Sequence, residues 1–155
     1  MKIIISPWSQ NLRNGKQNPK NYPYWNELIA IIKQNPEAYI IQIGRGDEQK
    51  LEGVDEYAFD LSLPQLKELL MSSDTFFSVD SFFPHMAHHY GKHGVVLFSK
   101  SDPRIFGYEE NLNIFKGIQH LRPDQYQLWE ACDYDKDAFV EPEKVLEAII
   151  EANNL

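Results

Sequence analysis

The sequence predicts an α/β domain built on a mainly parallel sheet, and three observations carry that prediction. Short β-type runs alternate with amphipathic helical stretches, the pattern of strands joined by helical crossovers. The first run, "KIIIS", is apolar throughout, as a strand covered on both faces should be. The run "TFFSV" passes through Asp80 and Ser81 into a stretch where Pro84 suits the first turn of a helix, giving a direct strand-to-helix turn.

Each element follows from local pattern. After "KIIIS" comes the polar segment "PWSQNLRNGKQNPKNYP", 17 residues long, against usual connections of a few residues. Loops of that length are commonly functional or mobile. In "YWNELIAIIKQNP", Trp25, Leu28, Ile29 and Ile32 fall at i, i+3, i+4 and i+7, one stripe of a helix, and Pro36 lies just past its end. "AYIIQIG" is a second strand closed by Gly44, and the loop "RGDEQKLEG" leads to a short third strand in "EYAFDL". "SLPQLKELLMSS" is a helix whose Ser62 and Gln65 form a capping box, with Leu63, Leu66, Leu69 and Leu70 as its buried stripe. "TFFSV" is the fourth strand, "PHMAHHYG" the next helix, "GVVLFS" the fifth strand and "LNIFKG" a sixth. "VEPEKVLEAIIEANNL" closes the chain as a helix, with Pro142 in its first turn and Ile149 and Ile150 facing inward. No linker divides the chain, and 155 residues suffice for one domain over 1–155 with a core of its own.

Composition narrows the function classes. With 43% hydrophobic and 13% aromatic residues the chain folds rather than staying disordered. A net charge of -8 argues against nucleic acid polymers and anionic membranes as partners, while leaving room for a local basic patch that takes one small anion. The single Cys132 excludes an internal disulfide and a cysteine-rich metal site, and fits a reducing compartment. "MKIIISPWSQ" is too short in apolar residues for a signal-peptide core, and no run approaches the roughly 18 to 20 residues of a membrane span. A soluble, cytoplasmic protein is expected.

The stretch "FFSVDSFFPHMAHHYG", residues 76–91, concentrates the chemistry, and three readings of it compete. His85 and His89 at i, i+4 share a helical face and, with Asp80, suggest a metal; Met86, however, stands where the zincin pattern has its glutamate. As a core helix, Met86, Ala87 and Tyr90 pack while His88 and His89 face solvent. As a ligand site, the turn after Val79 presents the N-terminus of a helix, favourable to an anion, beyond the carboxyl end of a strand where open parallel sheets bind ligands. His85 on the first turn would donate a hydrogen bond to that ligand. Asp80 and Ser81 read equally well as helix caps and nothing more. Trp8, Trp25 and Trp129 read as packing residues, with Trp8 beside the long loop also placed to stack on a base. "RGD" at 45–47 reads as a turn, and "YDKDAF" lacks the glycine and terminal glutamate of a calcium loop.

The segment "SVDSFFPHMAHHYGKHGVVLFSKSDP" resembles glycosyltransferase family 9, the heptosyltransferase-like enzymes, whose corresponding stretch reads D-[ST]-G-x-x-H-x-A, then a glycine, an apolar strand and a G-P-T-D-P-like loop. Asp80, Ser81, His85, Ala87, Gly91 and Ser101-Asp102-Pro103 fall in place. "LSLPQLKELLMSSD" is similar to the family's L-S-L-x-E-L helix, "NPKNYPYWNELI" to its K-x-W-P segment, and "IIQIGRGDEQ" and "VEPEKVLEAII" to its glycine-turn strand and terminal helix. The resemblance implies a Rossmann-like fold like the C-terminal, donor-binding half of a metal-independent GT-B enzyme, with no cofactor. It implies a nucleotide-diphosphate sugar as partner and hexosyl or heptosyl transfer as the activity. Ser81 and the backbone after it would meet the diphosphate, Asp80 and His85 would order the donor, Lys20 would neutralise phosphate charge, with Lys16 as its rival, and Glu48 would reach the ribose. The family's acceptor-binding half and catalytic base have no counterpart in the sequence, so the resemblance leaves two outcomes: a split or self-associating transferase completed by an acceptor-binding subunit or a second copy, or a nucleotide-binding module that senses or sequesters a nucleotide without turnover. Phe82 stands where the family has glycine, so either the pocket is reshaped or the diphosphate is held differently.

Overall fold

The computed structural model describes residues 1–153. Among them run β1 (Lys2–Ser6), α1 (Trp25–Ile32), β2 (Tyr39–Gly44), β3 (Glu56–Phe59), α2 (Leu63–Met71), β4 (Thr75–Val79), α3 (Phe82–His89), β5 (Val95–Leu97), α4 (Pro103–Phe106), β6 (Leu112–Ile114) and α5 (Pro142–Asn153). The strands form one sheet in the order β3-β2-β1-β4-β5-β6, with every neighbouring pair parallel. β1 sits at the centre, with Ile4 opposite Ile41 on one side and Phe76 on the other.

That order explains where a site can form. Parallel strands need crossovers, and these are almost always right-handed. Moving outward from β1 to β2 and β3 therefore puts the connecting helix on one face, and returning past β1 to β4 puts the next on the other. The side chains record both faces. Ile3, Ile5, Phe77 and Val79 pack with Trp25, Leu28, Ile29 and Val145, so α1 and α5 cover one side. Ile4, Phe76 and Val96 pack with Leu70, Phe83 and Ala87, so α2 and α3 cover the other. Each fully buried aliphatic or aromatic side chain here contributes about 1.5–3 kcal/mol. Between β1 and β4 the connections part to opposite faces, which opens a crevice at the carboxyl ends of those two strands.

Local signals in the sequence hold at most elements. The capping box of α2 is formed: Gln65 N donates to Ser62 Oγ at 3.3 Å and Ser62 N donates to Gln65 Oε1 at 2.9 Å. The buried stripe of α2 is narrower than the leucine spacing suggests. Leu70 is buried and Leu66 and Leu69 are half-buried, but Leu63 is 63% exposed, because the cap places it in the first turn at the rim of the crevice. α3 begins at Phe82, two residues before Pro84. In α5 the inward line runs through Pro142, Val145 and the half-buried Ile149, which turns Ile150 out to 50% exposure. Residues 118–139, to which the sequence reading assigns no element, hold three short 3-10 turns: Ile118–His120, Trp129–Ala131 and Lys136–Ala138. Among the described residues no helix is long and apolar enough to cross a membrane.

Candidate functional site

The crevice between β1 and β4 is an open cleft of about 1110 Å³. Lys20, Glu48, Asp80, Ser81 and His85, drawn from three separate stretches of sequence, all line it. Lys16, the alternative to Lys20, is exposed on the loop and does not.

Each of these residues is held by a traceable device. The long β1–α1 connection is tied down by its own polar side chains. Buried Asn18 donates Nδ2 to Gln10 O at 2.8 Å and accepts from Lys20 N at 3.0 Å. Ser9 Oγ donates to Asp80 O at 2.7 Å, and Ser99 Oγ donates to Pro19 O at 2.9 Å. These bonds carry Lys20 across to Asp80, where Nζ lies 3.3 Å from Oδ2. Glu48 is set by the fully buried Gln42, whose Nε2 donates to Gln49 O and whose Oε1 accepts from Leu51 N, pinning the loop after β2. Trp8 Nε1 donates to the same Gln49 carbonyl at 2.9 Å, so Trp8 also anchors this loop. Glu48 Oε1 accepts from Arg45 N at 2.9 Å, closing the turn at "RGD".

At the start of α3 neither predicted cap operates. Ser81 occupies the N-cap position in extended backbone, but no side chain caps the helix. Its Oγ turns back toward Val79 O and Ser78 Oγ, at 3.3 and 3.4 Å, and the Asp80 carboxylate is committed to Lys20. The reading of Asp80 and Ser81 as caps alone is corrected accordingly. Phe83 turns into the core, edge-on to Phe76 at 5.3 Å, while Phe82 is 56% exposed on the cleft wall. The two phenylalanines do not plug the opening.

His85 is oriented from outside the cleft. Its Nδ1 lies 2.6 Å from the Tyr108 hydroxyl. A phenol is the stronger acid of the two partners, so we assign Tyr108 as donor, which leaves the proton on His85 Nε2. Tyr108 is itself clamped: the His88 ring stacks on it at 3.8 Å, and His88 Nδ1 bonds the Glu110 carboxylate. His88 thus faces solvent as the sequence suggests, yet works as a brace. Among the described residues no group of three or more His, Cys, Asp or Glu side chains is arranged to hold a metal ion.

Among the charged cleft groups that sequence reasoning passed over, Arg122 is the buried one. Arg122 lies in the irregular stretch after β6, lines the cleft and is 8% exposed. Its Nη2 donates to Gln125 O at 2.9 Å, and its Cζ sits 3.4 Å from the centre of the Trp129 ring. Lys20 Nζ approaches the same ring at 5.1 Å, so Trp129 supports two cations rather than merely packing. Burial pulls the Arg122 guanidinium below the usual arginine range, against the opposing pull of Cys132, Asp124 and Asp80, and it stays charged at neutral pH. With Arg13, Lys20, Arg45 and Arg122 against Glu48, Asp80 and Glu130, the cleft is cation-rich on a chain that is acidic overall. No periodicity or motif marks Arg122; an arginine and a tryptophan close together in an otherwise polar stretch were the available signal.

No family model matches the chain, and no curated protein matches it in sequence. Among solved structures the fold is similar to that of E. coli ADP-heptose LPS heptosyltransferase II, with a TM-score of 0.68 and 15% identity. The likeness covers 97% of this chain and 45% of that one, so the chain spans less than half the length of that neighbour. At this identity the similarity establishes the glycosyltransferase-like α/β fold.

Proposed function

We propose that residues 1–155 form one domain that binds a nucleotide-diphosphate sugar in the β1–β4 cleft, as the donor-holding part of a glycosyltransferase. The observation that carries this reading is convergence: Lys20, Glu48, Asp80, Ser81 and His85, chosen from sequence alone, line one cleft at the point where ligands enter open parallel sheets. The heptosyltransferase-like fold supports it. In this reading the diphosphate lies against the turn from Ser81 into α3, Lys20 offsets its charge, His85 donates from Nε2, and Glu48 meets the ribose. Transfer breaks the bond between the sugar's anomeric carbon and a diphosphate oxygen, leaving that oxygen negative; Lys20 and the helix N-terminus stabilise it. An acceptor hydroxyl supplies the new bond, and its proton goes to a base.

That base would come from a second unit facing the cleft, an acceptor-binding subunit or another copy of the chain. Each carboxylate in the cleft is already engaged: Asp80 by Lys20, Glu48 by Arg45 N and Glu130 by Arg13 N. The same observation favours a second reading, a module that binds the nucleotide without turning it over. Calorimetric titration with nucleoside diphosphates and their sugars tests the shared claim. Saturable binding weakened by Lys20→Met supports it, and no binding by any of them refutes it. Sugar transfer or donor hydrolysis that is lost in His85→Ala selects the enzyme; binding without turnover, with and without candidate acceptors, selects the module.

A further inference from the structure

Arg122 is out of balance with its surroundings. Among buried side-chain nitrogens and oxygens of the described residues, its Nε and Nη1 have no hydrogen-bond partner, although they belong to a permanently charged group that is 8% exposed. A charge buried with open donors is expensive, and proteins retain such groups where an acceptor arrives from outside. The placement says from where. Arg122 lines the same cleft as Lys20, and both cations rest on the indole of Trp129, at 3.4 and 5.1 Å from its centre.

Trp129 is the part of the surroundings best able to move. Its ring covers one face of the guanidinium, and it belongs to a 3-10 turn of only three residues, Trp129–Ala131. The anchors of that turn are slight: Ala131 N to Leu128 O at 3.2 Å, Cys132 N to Trp129 O at 3.0 Å, and a bond from Arg13 N to Glu130 at 3.3 Å. The preceding Tyr126 and Leu128 are 79% and 65% exposed. Arg122, by contrast, is fixed: its backbone N donates to Lys100 O at 3.0 Å, and the Gln125 side chain bonds both Lys100 O and Arg122 O. A rigid cation thus lies beneath a lightly tethered aromatic cover.

We propose that Arg122 is a concealed oxyanion site of the cleft: a phosphate or diphosphate group displaces the Trp129 ring, takes the free donors of the guanidinium and shares its charge with Lys20. A phosphate-type oxyanion fits better than a single carboxylate, because it brings several acceptor oxygens and more than one charge to two cations. The group arrives either on a nucleotide or as the free inorganic ion. The assignment deepens the donor-binding reading by giving the cleft a phosphate contact outside α3, from the irregular stretch after β6, and it rests on that reading only for the nucleotide.

Titration of the whole chain with inorganic pyrophosphate and, separately, with nucleoside diphosphates tests it, read by calorimetry and by tryptophan fluorescence. Pyrophosphate binds saturably and changes the emission; Trp129→Phe abolishes the change and keeps the heat. Arg122→Met weakens binding at least tenfold while the melting temperature holds or rises, since an apolar side chain of similar volume no longer buries unmet donors. Should that variant fail to fold, Arg122→Lys keeps the charge, loses the fork and still weakens binding severalfold. Arg104→Met, outside the cleft, changes nothing. Pyrophosphate binding unaltered in Arg122→Met overturns the assignment and leaves the nucleotide reading standing. Binding of pyrophosphate but of no nucleotide upholds Arg122 and sinks the nucleotide reading; binding of neither sinks both.

Discussion

Replacing Lys20 with methionine removes the partner of a buried carboxylate, and the structure fixes the size of the effect. The ammonium and Asp80 Oδ2 are 3.3 Å apart, with the two side chains 20% and 8% exposed. At an effective dielectric of about 20 their attraction is on the order of 5 kcal/mol, most of it offset by the desolvation of both groups. Removing one partner leaves the other charge buried. Asp80 is the worse one to strand, because Lys20 can swing its flexible stem toward water while a carboxylate on the turn after β4 cannot. Lys20→Met is therefore expected to cost about 3 kcal/mol and Asp80→Asn about 1–2 kcal/mol. For a chain of this size the first change lowers the melting temperature by about 6–12 °C. The double variant should lose less than the two single losses combined, with a coupling of about 1–2 kcal/mol. Urea denaturation of the four proteins of this cycle, at equal ionic strength, measures each quantity. Additive losses, or a larger loss in Asp80→Asn than in Lys20→Met, would refute the claim that Lys20 offsets the charge of a buried Asp80 carboxylate.

Other substitutions probe separate parts of the structure. Tyr108→Phe removes the hydrogen bond to His85 without emptying space; it should weaken nucleotide-sugar binding by about 2- to 10-fold, the value of one net hydrogen bond, with the fold intact by circular dichroism. Phe82→Gly clears an exposed ring from the cleft wall and frees the backbone where the proposed diphosphate would lie; it should tighten calorimetric nucleotide binding at a stability loss of about 1 kcal/mol from the first turn of α3. Gly94→Ala places a Cβ 2.4 Å from the Phe76 carbonyl oxygen and 2.8 Å from its ring, so backbone must shift; a loss of more than about 2 kcal/mol is expected in urea denaturation. Asp55 tests pH dependence: burial pushes its carboxyl up, but the N–H of Ile40 and the Lys33 ammonium outweigh this and hold it below the usual aspartate range. Its contribution is complete above the unfolded value and is lost as pH falls through the lower folded one. The gap in melting temperature between wild type and Asp55→Asn should accordingly be steady near neutrality and close below about pH 4.

The fold was legible because its determinants are local and periodic. Strands such as Ile3-Ile4-Ile5 carry the two-faced apolarity of a covered sheet, and Ser62 with Gln65 marks a helix start by chemistry alone. The two misread helix faces show position within the fold overriding the expected stripe. Leu63 has the right interval for burial but sits at the mouth of the cleft, and Ile150 lies one residue off the inward line of α5. The cleft residues on strand ends were legible for the same reason as the fold, since Asp80 and Ser81 follow a strand that the pattern locates. Arg122, Trp129 and Tyr108 were not, because each sits in irregular chain whose path is set by individual bonds such as those of Gln125 and Asn113.

The two long irregular segments make sense together. A parallel sheet supplies a crevice at its switch point but few charged side chains, because its strands are apolar on both faces. Charge has to come from the connections, and the acidic chain places four of its cations there: Arg13 and Lys20 from the β1–α1 segment, Arg45 from the loop after β2 and Arg122 from the stretch after β6. Holding them requires ordered loops, which accounts for buried Asn18, Ser9 and Ser99 and for the Gln125 clamp. If packing were the sole role of these segments, methionine would serve at 122 and a shorter loop would serve at 7–23. The open donors of Arg122 set that alternative against the binding reading, because a methionine variant that is at least as stable and no longer holds an anion has lost function alone.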